Sequence, residues 1–346
     1  MEATNILNVN NILIEDQNAI GELMRSNLKA YEKVIVLGST GMLGYYLTSI
    51  FVLHFAKFTS GNHESVVGVS RHRSEKIQKL EVEFPGVFKG ISFDQLDKEF
   101  ESCGKILVIH AASPSSIQAI NEDLHGAVEA NIILTIRIAN LLEKHGGHMV
   151  FLSSGEVYGE SAPVPTAEND YSPINHLTRR GLYPIMKKSA EAILQTYCER
   201  SEKISVTTLR VFHTFGPGLT VDDPRIFGLV CKSIHTKQEI VLASDGSAVR
   251  VFLYSRDLVS AILYTIGEKG FNVFNVAGKE PLSILDFCNM SLSLGVPRIV
   301  FGKGQDGTPR NTQIGFANTG KLEALGWSPE VSMLESLRRT SESISL

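Results

Sequence analysis

Apolar residues along this chain fall into short runs that alternate with longer segments of helical periodicity. The runs VIVLG (34–38), VVGVS (66–70), ILVIHAAS (106–113), HMVFLSS (148–154) and SVTTLRVF (205–212) predict buried strands. Between them, Met42–Phe55, AVEANIILTIRIANLLEKHGG and LYPIMKKSAEAILQTY have the apolar spacing of helices. Wholly apolar strands alternating with helices predict a doubly wound parallel sheet, a Rossmann-type α/β fold.

The segments flanking this core have weaker patterns. Residues 1–30 are predicted to form an extension with one helix that covers an edge of the core. The dinucleotide-binding Rossmann domain is predicted at 31–216, and residues 217–346 mainly form a smaller substrate-binding lobe. Short strands such as EIVLA and RVFLY, with Gly and Pro clusters at FGPG, GKEP and GQDGTPR, indicate this second lobe. A part of it, about 239–262, is expected to return to the Rossmann core.

Composition narrows the range of partners. The net charge of -4 over 346 residues argues against nucleic acid as a partner. The four cysteines, at positions 103, 198, 231 and 288, form no CxxC pair, so neither a metal site nor a disulfide framework is expected. The start MEATNILNVN lacks a signal-peptide pattern, and the apolar run LGYYLTSIFVLHF is too short to cross a bilayer. We therefore expect a cytoplasmic protein without a membrane partner.

The glycines after the first strand predict a dinucleotide site. Gly38, Gly41 and Gly44 form G-x-x-G-x-x-G between a predicted strand and a predicted helix. Such a turn lets the backbone approach a pyrophosphate, and the helix start offers unpaired N–H groups. The residues predicted to bind the cofactor here and after the third strand are Gly38, Thr40, Gly41, Met42, Leu43, Gly44, Ala111 and Ala112.

The end of the second strand favours NADP over NAD, which stays open as the alternative. NAD sites usually place an acidic residue there for the ribose hydroxyls. This chain has Ser70 and Arg71, a hydroxyl and a guanidinium that suit a 2′-phosphate. Asp94 is a further candidate, for contact with the adenine.

Tyr183 and Lys187 predict the chemistry. Their spacing of four residues places the phenol and the ammonium on one face of a helix. A nearby ammonium stabilises a phenolate, which can take the proton of a hydroxyl group. Ser154, at the end of a predicted strand, can hydrogen-bond the same substrate oxygen, and Glu156 places a carboxylate at the pocket.

The motifs GxxGxxG, SSxEVYG, YxxxK, RVFxxFGPG, VRVFLYSRDL and LGWSP, in this order from about Val34 to Trp327, resemble the extended short-chain dehydrogenases/reductases. The resemblance is to the nucleotide-sugar epimerase, dehydratase and decarboxylase group. It implies a tightly held NAD(P) that oxidises a sugar C4 hydroxyl transiently and is then re-reduced. It also implies that Ser154, Tyr183 and Lys187 are catalytic, that the last two contact the cofactor, and that a homodimer forms through the helices around 126–145 and 183–200. A role in polysaccharide biosynthesis goes with this family.

The same resemblance implies a set of substrate-binding residues. Three arginines match positions in the UDP-glucuronate decarboxylases and are predicted to converge on a diphosphate. Arg180, three residues before Tyr183, matches the decarboxylase-like pattern R-x-x-Y. The complete predicted set is Ser113, Arg180, His213, Arg225, Arg250 and Arg310.

Departures from the family pattern leave the reaction open. Gly155 replaces the Asp that protonates the leaving hydroxyl in the 4,6-dehydratases, which disfavours ordinary dehydration. His213 replaces the family's Asn, and Met186 replaces the Ser before the lysine. We predict an enzyme that modifies a nucleotide-diphosphate sugar through a 4-keto intermediate, by epimerisation or decarboxylation. The alternatives are a net NAD(P)H-dependent reductase or dehydratase, and a non-catalytic protein that senses dinucleotides.

Overall fold

A computed structural model of the protein describes residues 2–58, 64–101, 104–114, 116–159, 162–302 and 316–344. Within these ranges the strands are β1 (Lys33–Leu37), β2 (Val66–Val69), β3 (Phe88–Ile91), β4 (Ile106–His110), β5 (Gly147–Ser154), β6 (Ile204–Val211), β7 (Thr214–Phe215), β8 (Ile240–Leu242), β9 (Val249–Val251), β10 (Leu253–Tyr254), β11 (Phe271–Val276), β12 (Pro281–Ser283) and β13 (Ile299–Phe301).

The helices cover both faces of the main sheet and build much of the second lobe. They are α1 (Glu2–Ala19), α2 (Gly21–Leu28), α3 (Met42–Phe58), α4 (Glu75–Glu83), α5 (Ile117–Glu122), α6 (Leu124–Val128), α7 (Leu134–His145), α8 (Leu182–Arg200), α9 (Ile226–Thr236), α10 (Ser255–Thr265), α11 (Ile284–Met290), α12 (Gly320–Glu323) and α13 (Met333–Glu342). A π-helical turn, Glu129–Ile133, joins α6 to α7, so the single helix expected there is interrupted.

The central sheet has seven parallel strands in the order β11-β6-β5-β4-β1-β2-β3. This arrangement confirms the predicted doubly wound fold. The strand order reverses between β1 and β4, and ligands of such sheets bind beyond the carboxyl ends of the strands at that point. The glycine turn follows β1, and the predicted serine ends β5, so both lie at this edge of the sheet.

Two strands of the sheet were not predicted from the sequence. β3 reads FKGI and β11 reads FNVFNV, and both are edge strands that are only partly buried. An edge strand tolerates polar residues, so it lacks the continuous apolar run that marks an interior strand. The segment RVFLY, expected as one strand, is divided into β9 and β10 at Phe252.

The N-terminal segment contains two helices where one was expected, because the chain breaks between α1 and α2 at Ile20. α1 packs on α3 and α13, and α2 packs on α10. Asp16 of α1 is fully buried and accepts hydrogen bonds from the hydroxyls of Tyr46 and Tyr254, each at 2.8 Å. Arg339 of α13 lies 3.2 Å from the second carboxylate oxygen. These contacts bind α1 to the core and to α13.

The second lobe has its own apolar core. Phe252 and Phe287 stack at 3.9 Å between ring centres, and Phe215 packs edge-on against both. The short pairs β8–β13, β9–β12 and β7–β10 surround this core. Within the expected range 239–262, α10 packs on α2 and α3, whereas the strand that joins the main sheet from this half of the chain is β11.

Over the described part of the chain, no helix has the length and apolar character needed to span a membrane. The same residues contain no cluster of three or more His, Cys, Asp or Glu side chains that could hold a metal ion.

Candidate functional site

The glycine turn between β1 and α3 is packed so closely against neighbouring backbone that only glycine fits at two of its positions. Gly38 has a φ of +80°, and a Cβ there would lie 2.6 Å from the Ala112 backbone. A Cβ on Gly44 would lie 2.0 Å from the Gly38 carbonyl oxygen. α3 begins at Met42, so its first N–H groups face the turn. The buried Ser39 hydroxyl has no hydrogen-bond partner among the described residues. The turn thus fits the pyrophosphate of a dinucleotide.

The other residues of the predicted cofactor set surround this turn. Thr40 and Gly41 are exposed at its tip, and Leu43 packs partly buried against the core. Ala111 and Ala112 follow β4 directly, and Ala112 lies against Gly38. These small residues allow the backbones that follow β1 and β4 to approach closely.

The residues predicted to contact the ribose of the cofactor already bind other groups of the protein. The Ser70 hydroxyl donates to the His72 carbonyl oxygen at 2.9 Å. Arg71 forms an ion pair with Asp123, the residue before α6, and both side chains are about half exposed. Asp94 is exposed, and a hydrogen bond from Ser92 lowers the pKa of its carboxyl. A 2′-phosphate at Arg71 therefore has to compete with Asp123.

The predicted catalytic trio comes together at the end of β5. Lys187 Nζ donates to the Leu152 carbonyl oxygen at 2.8 Å and lies 5.9 Å from the centre of the Tyr183 ring. The Ser154 oxygen accepts a hydrogen bond from the Glu156 amide at 3.2 Å. The Ser154 hydroxyl also lies close enough to the Tyr183 phenol to lower its pKa. A hydroxyl group at this point can meet both the phenol and the serine.

The protonation states differ from the sequence expectation. Burial and the Glu156 carboxylate raise the pKa of Tyr183 to about 12, although Ser154 and Arg225 act in the opposite direction. Burial also lowers the pKa of Lys187 to about 7. Both shifts come mainly from burial, which disfavours the charged form of each group.

Glu156 is exposed and lies near two arginines. Its side chain touches solvent, yet the surrounding protein desolvates it enough to raise the pKa of its carboxyl, while Arg180 and Arg250 lower it. Arg250 also donates to the Val249 carbonyl oxygen at 2.7 Å. One carboxylate and two guanidiniums thus share the side of the site next to Tyr183.

The remaining substrate candidates lie near the glycine turn. Burial lowers the pKa of His213 to about 3, with help from Arg250 and Arg225, so this imidazole is neutral. Arg225 donates to Asp223 through Nε at 2.9 Å, and its Nη2 lies 4.0 Å from the Met42 sulfur.

Ser113 and Arg310 complete the predicted set. Ser113, after β4, donates to the Asn131 side-chain oxygen at 3.0 Å. Arg310 lies outside the described residues.

Several polar residues of the site were not predicted from the sequence. Asn131 lies in the π-helical turn, and the Thr135 hydroxyl after it contacts His110 Nε2 at 3.1 Å. Glu191 and Arg210 form a buried ion pair of 2.7 Å behind Lys187. The spacing of Glu191, four residues after Lys187, was the one signal that could have found it.

A doubly wound parallel sheet, a glycine turn after its first strand and a serine–tyrosine–lysine group at β5 and α8 together define an oxidoreductase of the short-chain dehydrogenase/reductase class. The sequence model of the NAD dependent epimerase/dehydratase family matches residues 34–277, and the chain belongs to this family. The resemblance seen in the motifs is thereby confirmed, as is the class of enzyme.

Known proteins similar to this chain span several activities. UDP-glucuronic acid decarboxylase 4 of Arabidopsis thaliana is 22% identical over 313 residues, 88% of this chain and 67% of that protein. UDP-glucuronic acid decarboxylase 1 of Danio rerio is 24% identical over 314 residues, 90% of this chain and 72% of that protein.

Solved structures show the same fold. The UDP-glucose 4-epimerase of Thermotoga maritima, with UDP-glucose, has a TM-score of 0.75 at 23% identity and covers 90% of this chain and 98% of its own. The UDP-glucuronic acid 4-epimerase of Bacillus cereus, with UDP-glucuronic acid and NAD, has a TM-score of 0.71 at 24% identity with the same coverage.

Proposed function

We propose that this protein modifies a nucleotide-diphosphate sugar through a transient 4-keto intermediate, and that the sugar carries a carboxylate at C6. The observation that carries the proposal is the grouping of the Ser154 and Tyr183 hydroxyls with Glu156, Arg180 and Arg250. The first two suit the oxidation of a hydroxyl group. Guanidiniums such as these bind anionic substrate groups well.

The first step is proton removal from the C4 hydroxyl. Tyr183, as phenolate, takes this proton, and the Ser154 hydroxyl orients the oxygen. A nicotinamide cofactor, NAD or NADP, would supply the acceptor for the C4 hydride when bound and the donor for its return. The residues that would hold the cofactor are the glycine turn, Ala112 and the Tyr183–Lys187 pair. The close-packed turn at Gly38 and Gly44, which excludes any side chain, fits a dinucleotide-binding turn.

The ketone makes the second step possible. A C4 ketone stands β to a C6 carboxylate, so the C5–C6 bond can break with loss of carbon dioxide and leave an enolate. Tyr183 and Ser154 are placed to stabilise the enolate oxygen. Glu156 has a raised pKa and so can hold a proton for C5, and Arg180 and Arg250 can orient the carboxylate before it leaves. Hydride return to C4 then completes the turnover.

Two sources support this assignment over a 4,6-dehydration. Gly155 has no side chain to protonate a leaving C6 hydroxyl. The similar proteins include UDP-glucuronic acid decarboxylases and a UDP-glucuronic acid 4-epimerase. Epimerisation at C4 of the same uronate is the second candidate, because it uses the same ketone and keeps the carboxylate bound.

The test is incubation of the purified protein with UDP-, dTDP-, GDP- and CDP-linked sugars and uronates, followed by mass spectrometry. Loss of carbon dioxide from a uronate is the expected result, and an isomer of unchanged mass indicates epimerisation. Consumption of one added NAD(P)H per turnover identifies a net reductase. Binding of the dinucleotide without turnover of any sugar contradicts the proposal and leaves a sensing role.

We also propose that the enzyme is a cytoplasmic homodimer. Val128 and Ile133, on the helices expected to pair between subunits, are exposed apolar side chains. Paired helices of two subunits bury such residues.

A further inference from the structure

Lys187 is almost completely buried, at 2% exposure, and its Nζ donates to the Leu152 carbonyl oxygen. Within the described chain, no carboxylate oxygen forms an ion pair with this nitrogen. Burial therefore lowers the pKa of Lys187 to about 7. An ammonium in this position needs a negative charge close by to persist at neutral pH.

Glu191 is the acid that faces Lys187. It lies one turn further along α8, on the same face as Tyr183 and Lys187, and it is 7% exposed. Its charge raises the pKa of Lys187 against the effect of burial. The other titratable groups around the lysine are Tyr183 itself and His110 of β4, whose pKa burial lowers to about 3, so this imidazole is neutral.

The Glu191 carboxylate is fixed from two strands. The Ser153 hydroxyl of β5 donates to Oε1 at 2.5 Å. Arg210 of β6 donates to the carboxylate from Nη2 at 2.7 Å and from Nε at 3.2 Å. Arg210 is itself held by the Glu168 carbonyl oxygen, 2.8 Å from Nη1, and lies 4.7 Å from the centre of the Tyr158 ring.

Arg210 binds the Glu191 carboxylate, so a residue of β6 helps to fix the position of this acid on α8. The charge of Glu191 raises the pKa of Lys187. Burial lowers the pKa of Lys188, the next residue on α8, and Arg210 lowers it as well.

We propose that Glu191 is a positioning residue that keeps Lys187 charged beside Tyr183, with Ser153 and Arg210 fixing its carboxylate one turn from the lysine. The role rests on the proposed function, in which Tyr183 must become a phenolate. When the tyrosine–lysine pair loses one proton, the charge of Glu191 favours phenolate with ammonium. Without it, the proton leaves the lysine, and the neutral phenol cannot accept the C4 hydroxyl proton.

The experiment measures the phenolate directly. Ultraviolet absorbance is titrated for the NAD⁺-loaded protein, and the same titration of its Tyr183→Phe version is subtracted to isolate Tyr183. Glu191→Gln removes the charge, but its amide oxygen can still accept from Ser153. The Tyr183 midpoint is expected to rise by about one pH unit or more, a fall of about tenfold in phenolate at a given pH. An unchanged midpoint overturns the proposal.

Three variants distinguish the effect of the Glu191 charge on Tyr183 from the effect of the structural contacts of Glu191. Glu191→Asp keeps the charge and is expected to bring the midpoint back toward the wild-type value. Ser153→Ala leaves the carboxylate with Arg210, so its midpoint is expected to stay close to wild type; a shift as large as that of Glu191→Gln contradicts the charge role. Glu199→Gln is the matched control, an exposed acid two turns further along α8.

Glu191→Gln leaves Arg210 without its carboxylate, which can prevent folding. In that case the double change Glu191→Gln with Arg210→Gln removes both charges and is expected to raise the midpoint in the same direction. Failure of the wild type to turn over any nucleotide sugar contradicts the proposed function, whereas the titration of Tyr183 still decides the role of Glu191.

Discussion

The Lys187 ammonium donates to the Leu152 carbonyl oxygen, 2.8 Å away at the end of β5. This bond holds the lysine inside the protein beside the sheet, while its nitrogen remains 5.9 Å from the Tyr183 ring centre. The charged form of this buried lysine therefore reduces the free energy of unfolding. Sites arranged for chemistry often reduce the stability of the fold in this way.

Lys187→Met should therefore abolish turnover and stabilise the fold. The native pKa of Lys187 is about 7, below the unfolded value of 10.5. Between these values the unfolded chain binds a proton that the native protein does not, so wild-type stability rises with pH. The advantage of the Met variant, about 1–3 kcal/mol, is thus largest below pH 7 and shrinks toward pH 10.5. Urea unfolding across this range measures it, with the exposed Lys144→Met as the control.

Tyr183→Phe should lower kcat by about 10²–10⁴-fold, because the variant has no group to take the C4 hydroxyl proton. The phenol donates no hydrogen bond that the core requires, so unfolding and NAD binding should stay near wild type. Steady-state kinetics on the sugar that the wild type converts is the measurement. A rate within threefold of wild type would exclude Tyr183 as the base.

Arg71→Ala should reduce the affinity for NADP more than the affinity for NAD. The guanidinium lies after β2, where a 2′-phosphate would bind, although Asp123 already pairs with it. Titration of both cofactors into the variant and the wild type gives the ratio. Arg73→Ala is the control, since Arg73 is bound by Glu81 on α4. A wild type that binds NAD alone contradicts the predicted preference.

Arg250→Ala should weaken nucleotide-sugar binding about tenfold or more, since a hydrogen bond to a charged group contributes about 1.5–3 kcal/mol. NAD binding should not change, because Arg250 lies on the Glu156 side of the site. Calorimetric titration with the sugar nucleotide measures the effect. Arg298→Ala, in the same lobe but paired with Glu239 at the surface, should bind like wild type. Equal affinity of the wild type and both variants for the sugar nucleotide would show that Arg250 has only a structural role.

Ile133→Glu should convert the proposed dimer to a monomer. Ile133 is 56% exposed at the start of α7, where the partner helices are expected to pack. A buried carboxylate without a partner opposes association. Light scattering at micromolar concentration reports the mass, and Val82→Glu, an equally apolar exposed position on α4, should leave it unchanged. A monomeric wild type refutes the proposal.

The interior of the sheet was predictable because burial on both faces demands continuous apolar strands. β1, β2, β4, β5 and β6 all have such runs. The edge strands β3 and β11 were missed since Lys89 and Asn272 interrupt their apolar patterns. The positions of the catalytic candidates followed from local spacing, which a helix translates directly into a common face.

The charge states and ion pairs of the site residues could not be predicted from the sequence. The pKa of Lys187 depends on how completely the surrounding elements exclude water, which no local pattern reports. The pairing of Glu191 with Arg210 joins residues of α8 and β6, and the pairing of Arg71 with Asp123 joins positions 52 apart. Such contacts arise only once the elements have packed.

The buried Asp16 sets a lower limit on the size of an autonomous enzyme. A chain shortened to begin at the first residue of the family match, Val34, lacks this acid and both N-terminal helices. This truncation removes the carboxylate that Tyr46, Tyr254 and Arg339 share. It also exposes one face of α3 to solvent. The minimal folding unit of this protein is therefore expected to extend beyond its recognisable family segment and to include both N-terminal helices.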